Sequence, residues 1–237
     1  MQPHAPALKK ITTPERQRSN WLMVHERRTI AWLCPRMPLW LTSNMLTGLG
    51  VLGSAMLAGA MLMGRSNSWW LLAGILGLAV NWFGDSLDGR LAYFRKRPRK
   101  WYGFVLDLMM DWSSLCLIVA GIACYLPKFK FIPVAFMAVY GARMLIAALG
   151  YKITEEYRID SGQVGPTEVR LLVAAALLLE IFVPGTLLGL GVLASVALFC
   201  IDIFEFRKLL QCANARDYRE RSAATPALPA MRSAQHR

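Results

Sequence analysis

The sequence predicts an all-α integral membrane protein: six transmembrane helices preceded by an amphipathic helix lying in the cytoplasmic interface. Three observations predict it. Hydrophobic residues make up 55% of the 237 residues against 18% charged, and the mean hydropathy is +0.37. The apolar residues come in blocks of about twenty, enough for a helix to cross a hydrocarbon core of about 30 Å and more than a water-soluble core needs. The cations, 27 Lys and Arg against 15 Asp and Glu, gather in the tails and loops between those blocks. That placement suits an anionic membrane surface rather than a nucleic-acid groove, so nucleic acid is not an expected partner. Disorder over most of the length is excluded, because a disordered chain needs low hydrophobicity.

The elements follow in chain order. The first twenty residues are polar, contain Pro3, Pro6 and Pro14, and show no apolar core of a signal peptide. Residues 20–34 are too short and too charged to cross. Trp21, Val24, Ala31 and Trp32 can share one face there while Glu26, Arg27 and Arg28 point elsewhere, the pattern of an interfacial helix. Pro35 and Pro38 end it. Six apolar blocks then read as spans at roughly 44–64, 69–93, 103–126, 131–150, 167–183 and 186–208. The connections 65–68, 127–130 and 184–185 are short, which favours antiparallel neighbours.

Three regions result: a basic cytoplasmic segment 1–36 with the interfacial helix, a membrane domain 37–210, and a polar basic tail 211–237 read as disordered. Lys and Arg number seven in 1–36, five in 94–102, two in 151–166 and seven from Arg207 onward, against three (Arg65, Lys128, Lys130) on the opposite side. The positive-inside rule therefore puts both termini in the cytoplasm. Glycines such as Gly48, Gly50, Gly53, Gly74, Gly77, Gly185, Gly189 and Gly191 give small faces for close helix packing or for a dimer contact. Cys34, Cys116, Cys124, Cys200 and Cys212 have neither disulfide nor zinc spacing.

Ionisable residues inside spans are functional candidates, since each costs about 2.5–3.5 kcal/mol at mid-membrane on the insertion scale. Asp85 and Asp88 lie three apart near the end of the second span, and Asp107 and Asp111 four apart near the start of the third. These spacings put each pair on one helix face. The joining loop makes the helices antiparallel neighbours, so the four carboxylates can meet at one depth. Such a cluster repels itself unless neutralised, and all-oxygen ligation suits Mg²⁺, Mn²⁺ or Ca²⁺. Two cations on shared carboxylates would clamp a phosphoryl group. A structural Asp set bonded to Arg90 or helix ends, and an ion pathway in a transporter, are the competing readings.

Asp85-Ser-Leu-Asp88-Gly89-Arg-Leu-Ala92 followed by Gly103-Phe-Val-Leu-Asp107-Leu-Met-Met-Asp111 resembles the signature of the CDP-alcohol phosphotransferase (phosphatidyltransferase) family. That signature reads DxxDGxxAR, eight residues, then GxxxDxxxD. Every Asp, both Gly and the Ala match, and the resemblance covers roughly residues 35–210. Tyr93 stands where the family has Arg, and the gap to Gly103 is one residue longer. Arg95, or less readily Arg90, can supply a cation nearby. Thr42 to Gly50 resembles the family's PNxLT start of the first span, with Ser43 replacing Pro.

The resemblance implies a membrane-embedded enzyme of phospholipid biosynthesis. It would move a substituted phosphoryl group from a CDP-linked lipid such as CDP-diacylglycerol to an acceptor alcohol and release CMP. Asp85, Asp88, Asp107 and Asp111 would bind two divalent cations, Mg²⁺ or Mn²⁺, and Asp111 would deprotonate the acceptor hydroxyl. Asn44, Thr47, Gly89, Ala92, Arg95 and Gly103 would line the CDP-donor site, although an N-cap and a backbone-bonded Thr read equally well for the first two. Arg143 and Arg170 could grip an anionic acceptor such as a polyol phosphate, and a buried Arg143–Asp202 ion pair is the other reading. Glu180 and Glu205, near span ends, are expected to snorkel or pair. A homodimer in a prokaryotic cell membrane, with a cytoplasmic active site, completes the expectation. A non-catalytic scaffold of the same fold, or a transporter using the acids as an ion site, is the alternative.

Overall fold

A computed structural model describes residues 21–154 and 166–224. Among them the chain is helical throughout, without strands: α1 (Trp21–Leu33), α2 (Ser43–Gly64), α3 (Leu71–Phe94), α4 (Lys100–Tyr125), α5 (Phe131–Thr154), α6 (Pro166–Phe182) and α7 (Thr186–Ala224). Short 3₁₀ turns at Cys34–Arg36 and Ser68–Trp70 lead into α2 and α3. The expected polar leader, most of the 151–166 loop and the last part of the tail lie outside the described residues.

Among the described residues, five helices are long and apolar enough to cross a membrane, over Ser43–Gly64, Ser68–Phe94, Lys100–Tyr125, Phe131–Ile153 and Thr186–Arg221. The expected fifth span is α6, whose 17 residues cover about 26 Å at 1.5 Å per residue, slightly under the hydrocarbon thickness. Many large apolar side chains of α5, α6 and α7 are exposed, as on a lipid-facing wall.

The centre of the bundle is the α2–α3 pair, which makes the most extensive contact in the molecule, with α4 also against α2 and α6 against α3. Glycine sets that closeness. A Cβ on Gly53 would lie 2.5 Å from the Gly77 carbonyl oxygen, and one on Gly77 would lie 2.6 Å from the Gly53 oxygen. The two backbones therefore touch where a larger residue would force them apart. Leu57, Met61, Leu71, Leu78 and Leu177 fill one core cluster beside this contact. A separate contact joins α5 to α7.

The helix α1 is present, and it docks on the bundle through residues outside the expected apolar face. Ala31 and Trp32 are exposed, whereas Ile30 and Cys34 are buried against Leu46, Leu87 and Leu91. Burial pushes the Cys34 thiol pKa up, against the lowering effect of Arg90 and Arg95, which fits a packing residue. The end of α3 closes with Lys96 in the left-handed region (φ 56°), its N–H donating to the Tyr93 carbonyl and the Arg97 N–H to that of Ala92. This is a Schellman closure with Lys where glycine is usual.

Two expectations are corrected. The tail expected to be disordered from residue 211 is helical as far as Ala224. Arg216 explains part of this: it pairs with Glu220 one turn on and donates to the Lys152 and Ile153 carbonyls, satisfying the open C-terminal end of α5. Glu180 does not snorkel, and among the described residues it pairs with no cation. It is buried and accepts the N–H groups of Gly185 (3.0 Å) and Leu187 (2.7 Å) and the Tyr125 hydroxyl (3.2 Å). The carboxylate thereby caps the start of α7, where free N–H groups favour an anion. Glu205 does pair, with Lys208 at 3.0 Å.

Candidate functional site

Polar bonds gather one end of the bundle. Arg95, just past α3, donates to the carbonyls of Leu41, Pro38 (2.8 Å) and Met37 (3.5 Å) before α2. Asn44 at the start of α2 donates to the Tyr102 hydroxyl at the start of α4, 3.2 Å away, and accepts from Arg99. Arg99 also lies 4.1 Å above the Tyr102 ring. The end of α3, the start of α4 and the start of α2 thus meet, which brings the four motif aspartates level.

Three of the four converge. One carboxylate oxygen from each of Asp85, Asp107 and Asp111 lies within 4.8 Å of the others. Asp88 falls outside this trio because α2 claims it. Its Oδ2 accepts the Thr47 hydroxyl at 2.6 Å, its Oδ1 the Gly89 N–H, and its carbonyl the Ser43 hydroxyl at 2.8 Å. Asp88 is buried, as its apolar surroundings and satisfied oxygens require.

Arg170 of α6 reaches this centre. It bonds Asp85 Oδ2 and donates from Nε to Asn81 Oδ1 at 2.8 Å. Asn81 in turn donates to the Gly50 carbonyl (2.9 Å) and Ser54 hydroxyl (3.1 Å) of α2. The sequence reading passed over Asn81; a buried amide in mid-span was the available signal. Arg170 is therefore a partner of the acids. Arg143 is similarly engaged: its Nε and Nη2 bond Asp202 Oδ1 at 2.8 and 2.7 Å. Of the two readings left open for Arg143, the geometry gives the ion pair.

The expected donor residues lie on α2, on or just past the end of α3, and at the start of α4. A Cβ on Gly89 or Gly103 would meet nothing within 4 Å, so neither glycine is needed for packing within the chain. Ala92 and Arg95 line a groove of about 770 Å³ with Leu39, Thr42, Ser43, Leu91, Arg97, Pro98 and Arg99. Thr47 is held by Asp88, and Asn44 borders the same end through Arg99. Tyr93 is exposed.

The residues present suit a hard cation. Three carboxylates converge, Asp88 is adjacent, and Arg170 is the guanidinium bonded among them. That bond takes Asp85 Oδ2 and leaves Oδ1 for another ligand. Crowded carboxylates need protons or cations to coexist, and oxygen donors select Mg²⁺ or Mn²⁺ over softer metals.

The class that this fold and site define is a multi-pass helical membrane protein with an acidic centre and an arginine-lined groove. The family follows from comparison. The family model for CDP-alcohol phosphatidyltransferase matches residues 40–201, well over half of the chain, and the chain belongs to that family. The family transfers a phosphatidyl group from a CDP-alcohol to an alcohol in lipid synthesis, and generally uses a divalent metal. Among curated proteins no match to the chain is found.

Proposed function

We propose that the chain transfers the phosphatidyl group of CDP-diacylglycerol to an acceptor alcohol and releases CMP at the cytoplasmic face of a cell membrane. It would do so as a six-span protein with both termini in the cytoplasm, working as a homodimer. The observation that carries this reading is the convergence of Asp85, Asp107 and Asp111, with Arg170 bonded to Asp85. A lipid donor explains why such a site lies in a membrane bundle: its acyl chains stay in lipid while the polar head reaches the acids.

The residues divide the work. Asp85, Asp107 and Asp111, with Asp88 beside them, would hold two divalent cations, Mg²⁺ or Mn²⁺, which when bound supply positive charge to the pyrophosphate and the departing CMP. Thr47 holds Asp88 in place, and Arg170 with Asn81 fixes Asp85. Arg95, Arg97 and Arg99 give the groove a positive lining for the CDP phosphates. Gly89 and Gly103 leave the helix backbones bare, so a nucleotide can approach closely. Asp111 accepts the proton of the acceptor hydroxyl as its oxygen bonds phosphorus and the bond from phosphorus to the CMP oxygen breaks. With Arg143 committed to Asp202, recognition of an anionic acceptor falls to Arg170 and the basic loop.

The test uses the full chain in nanodiscs with labelled CDP-diacylglycerol and a panel of polyol, polyol phosphate and amino-alcohol acceptors. CMP release that needs both an acceptor and Mg²⁺ or Mn²⁺ is expected. No release with any acceptor would refute the reading.

A further inference from the structure

Glu26 of α1 is not part of the family motif, yet it touches both helices that supply the Asp85–Arg170 pair. Its Oε2 accepts the Thr167 hydroxyl at 3.1 Å, and its Oε1 accepts the Ser86 hydroxyl at 3.4 Å. Ser86 directly follows Asp85 on α3, and Thr167 lies one turn before Arg170 on α6. Glu26 also shares a helical stripe with Ile30 and Cys34, at intervals of four, and both of those are buried against Leu46, Leu87 and Leu91. The apolar contacts fix where α1 lies on the bundle, and the carboxylate is the polar end of that contact.

We infer that Glu26 is a positioning residue for the transfer reaction: it ties α3 to α6 beside Asp85 and Arg170 and so sets the placement of the acid centre. The inference rests on the function proposed above. Arg170 reaches Asp85 across two helices, so a rotation or slide of α6 against α3 moves the guanidinium relative to the trio. A misplacement of about 1 Å can cost about a hundredfold in rate. Thr167 and Ser86 offer hydroxyls from the two helices, and one carboxylate with two oxygens joins them.

The experiment compares Glu26→Ala and Glu26→Gln in the full chain in nanodiscs. Three quantities are measured: kcat and donor KM from CMP release, Mn²⁺ affinity by electron paramagnetic resonance, and the thermal midpoint. Glu26→Ala is expected to lower kcat about thirtyfold and Mn²⁺ affinity about fivefold, with donor KM and midpoint little changed. Glu26→Gln should recover both to within about threefold, because its amide can accept from one hydroxyl and donate to the other. Wild-type kcat and Mn²⁺ affinity in the Ala variant would overturn the inference. Equal losses in Ala and Gln would also overturn it, since charge and not the bridge would then matter. If Glu26→Ala does not fold, Ser86→Ala combined with Thr167→Val removes the same bonds from the other side and carries the same expectations. If wild-type protein releases no CMP, the function proposed above fails, and Mn²⁺ affinity alone decides the role of Glu26.

Discussion

Arg170 and Arg143 are both guanidiniums within the bundle, and both bond an aspartate. Arg143 meets the carboxylate of Asp202 across the α5–α7 contact, and the two side chains are only 12% and 8% exposed. Arg170 meets Asp85 within a trio of carboxylates, with Asp88 alongside. The first is a brace, in which a buried cation and anion face each other. The second leaves negative charge over, and that surplus is what a cationic ligand would neutralise. The ratio of charges, rather than the presence of charge in a span, distinguishes the two.

Four measurements break or sharpen this contrast. The largest effect is expected at the surplus. Asp107→Asn and Asp111→Asn should lower transfer about ten-thousandfold, as loss of a base or of charge stabilisation does. Asp202→Asn, corrected for folded fraction, should stay within about tenfold. Asp111→Asn should also keep most donor binding, so rate and binding are measured separately. A fully active Asp111→Asn would remove its role as base.

Next comes the brace. Asp202→Leu alone should destabilise the protein by about 3–5 kcal/mol by leaving Arg143 buried without this partner, whereas Arg143→Met with Asp202→Leu should recover most of the loss. Reversible unfolding in mixed micelles reads both. A double variant no better than the single one would mean that the two residues do not act as a pair.

Chelation should act at the surplus and not at the brace. Saturating Mn²⁺ at about a hundred times its Kd should add about 2.7 kcal/mol of stability. Adding EDTA should lower the thermal midpoint of wild type and of the Arg143→Met/Asp202→Leu variant, and leave Asp107→Asn nearly unchanged. A midpoint of wild type that ignores EDTA would dissociate the trio from any cation.

The smallest effect is expected at Tyr93, exposed on the last turn of α3. Tyr93→Arg should tighten donor binding about threefold by adding a cation near the groove, with the fold unchanged. Unaltered affinity, read by equilibrium binding of labelled donor, would mean that the groove's own arginines already suffice.

Much of this was legible in the sequence, for a physical reason. Each aspartate in a span is costly, so its position is informative, and spacings of three and four fix the helix face without any knowledge of the packing. The α2–α3 contact was foreshadowed by Gly53 and Gly77 for the same reason: only small residues let backbones touch. What stayed hidden depended on partners remote in sequence. Thr47 turns Asp88 away from the trio, and Arg170 spends itself on Asp85, although neither spacing nor composition says so. Glu26 read as the polar face of a surface helix because a charge there has water as an easy alternative. Glu180 read as a snorkelling end, yet the N–H groups it satisfies belong to a turn that only the fold creates. Helicity past residue 210 was missed because a polar, basic stretch resembles a tail until Arg216 finds the carbonyls of α5.

The Arg143–Asp202 bond joins residues 59 positions apart, and this sets a timetable for biogenesis. At about 5–20 residues per second a ribosome needs about 3–12 s to reach the second partner after making the first. During that interval α5 carries an arginine that lacks Asp202, and an arginine at the bilayer centre costs about 2.5–3.5 kcal/mol on the insertion scale. Holding the nascent helix at the insertion machinery until α7 arrives would let the two charges enter the bilayer as a pair. The brace thus links the insertion of α5 to the synthesis of α7.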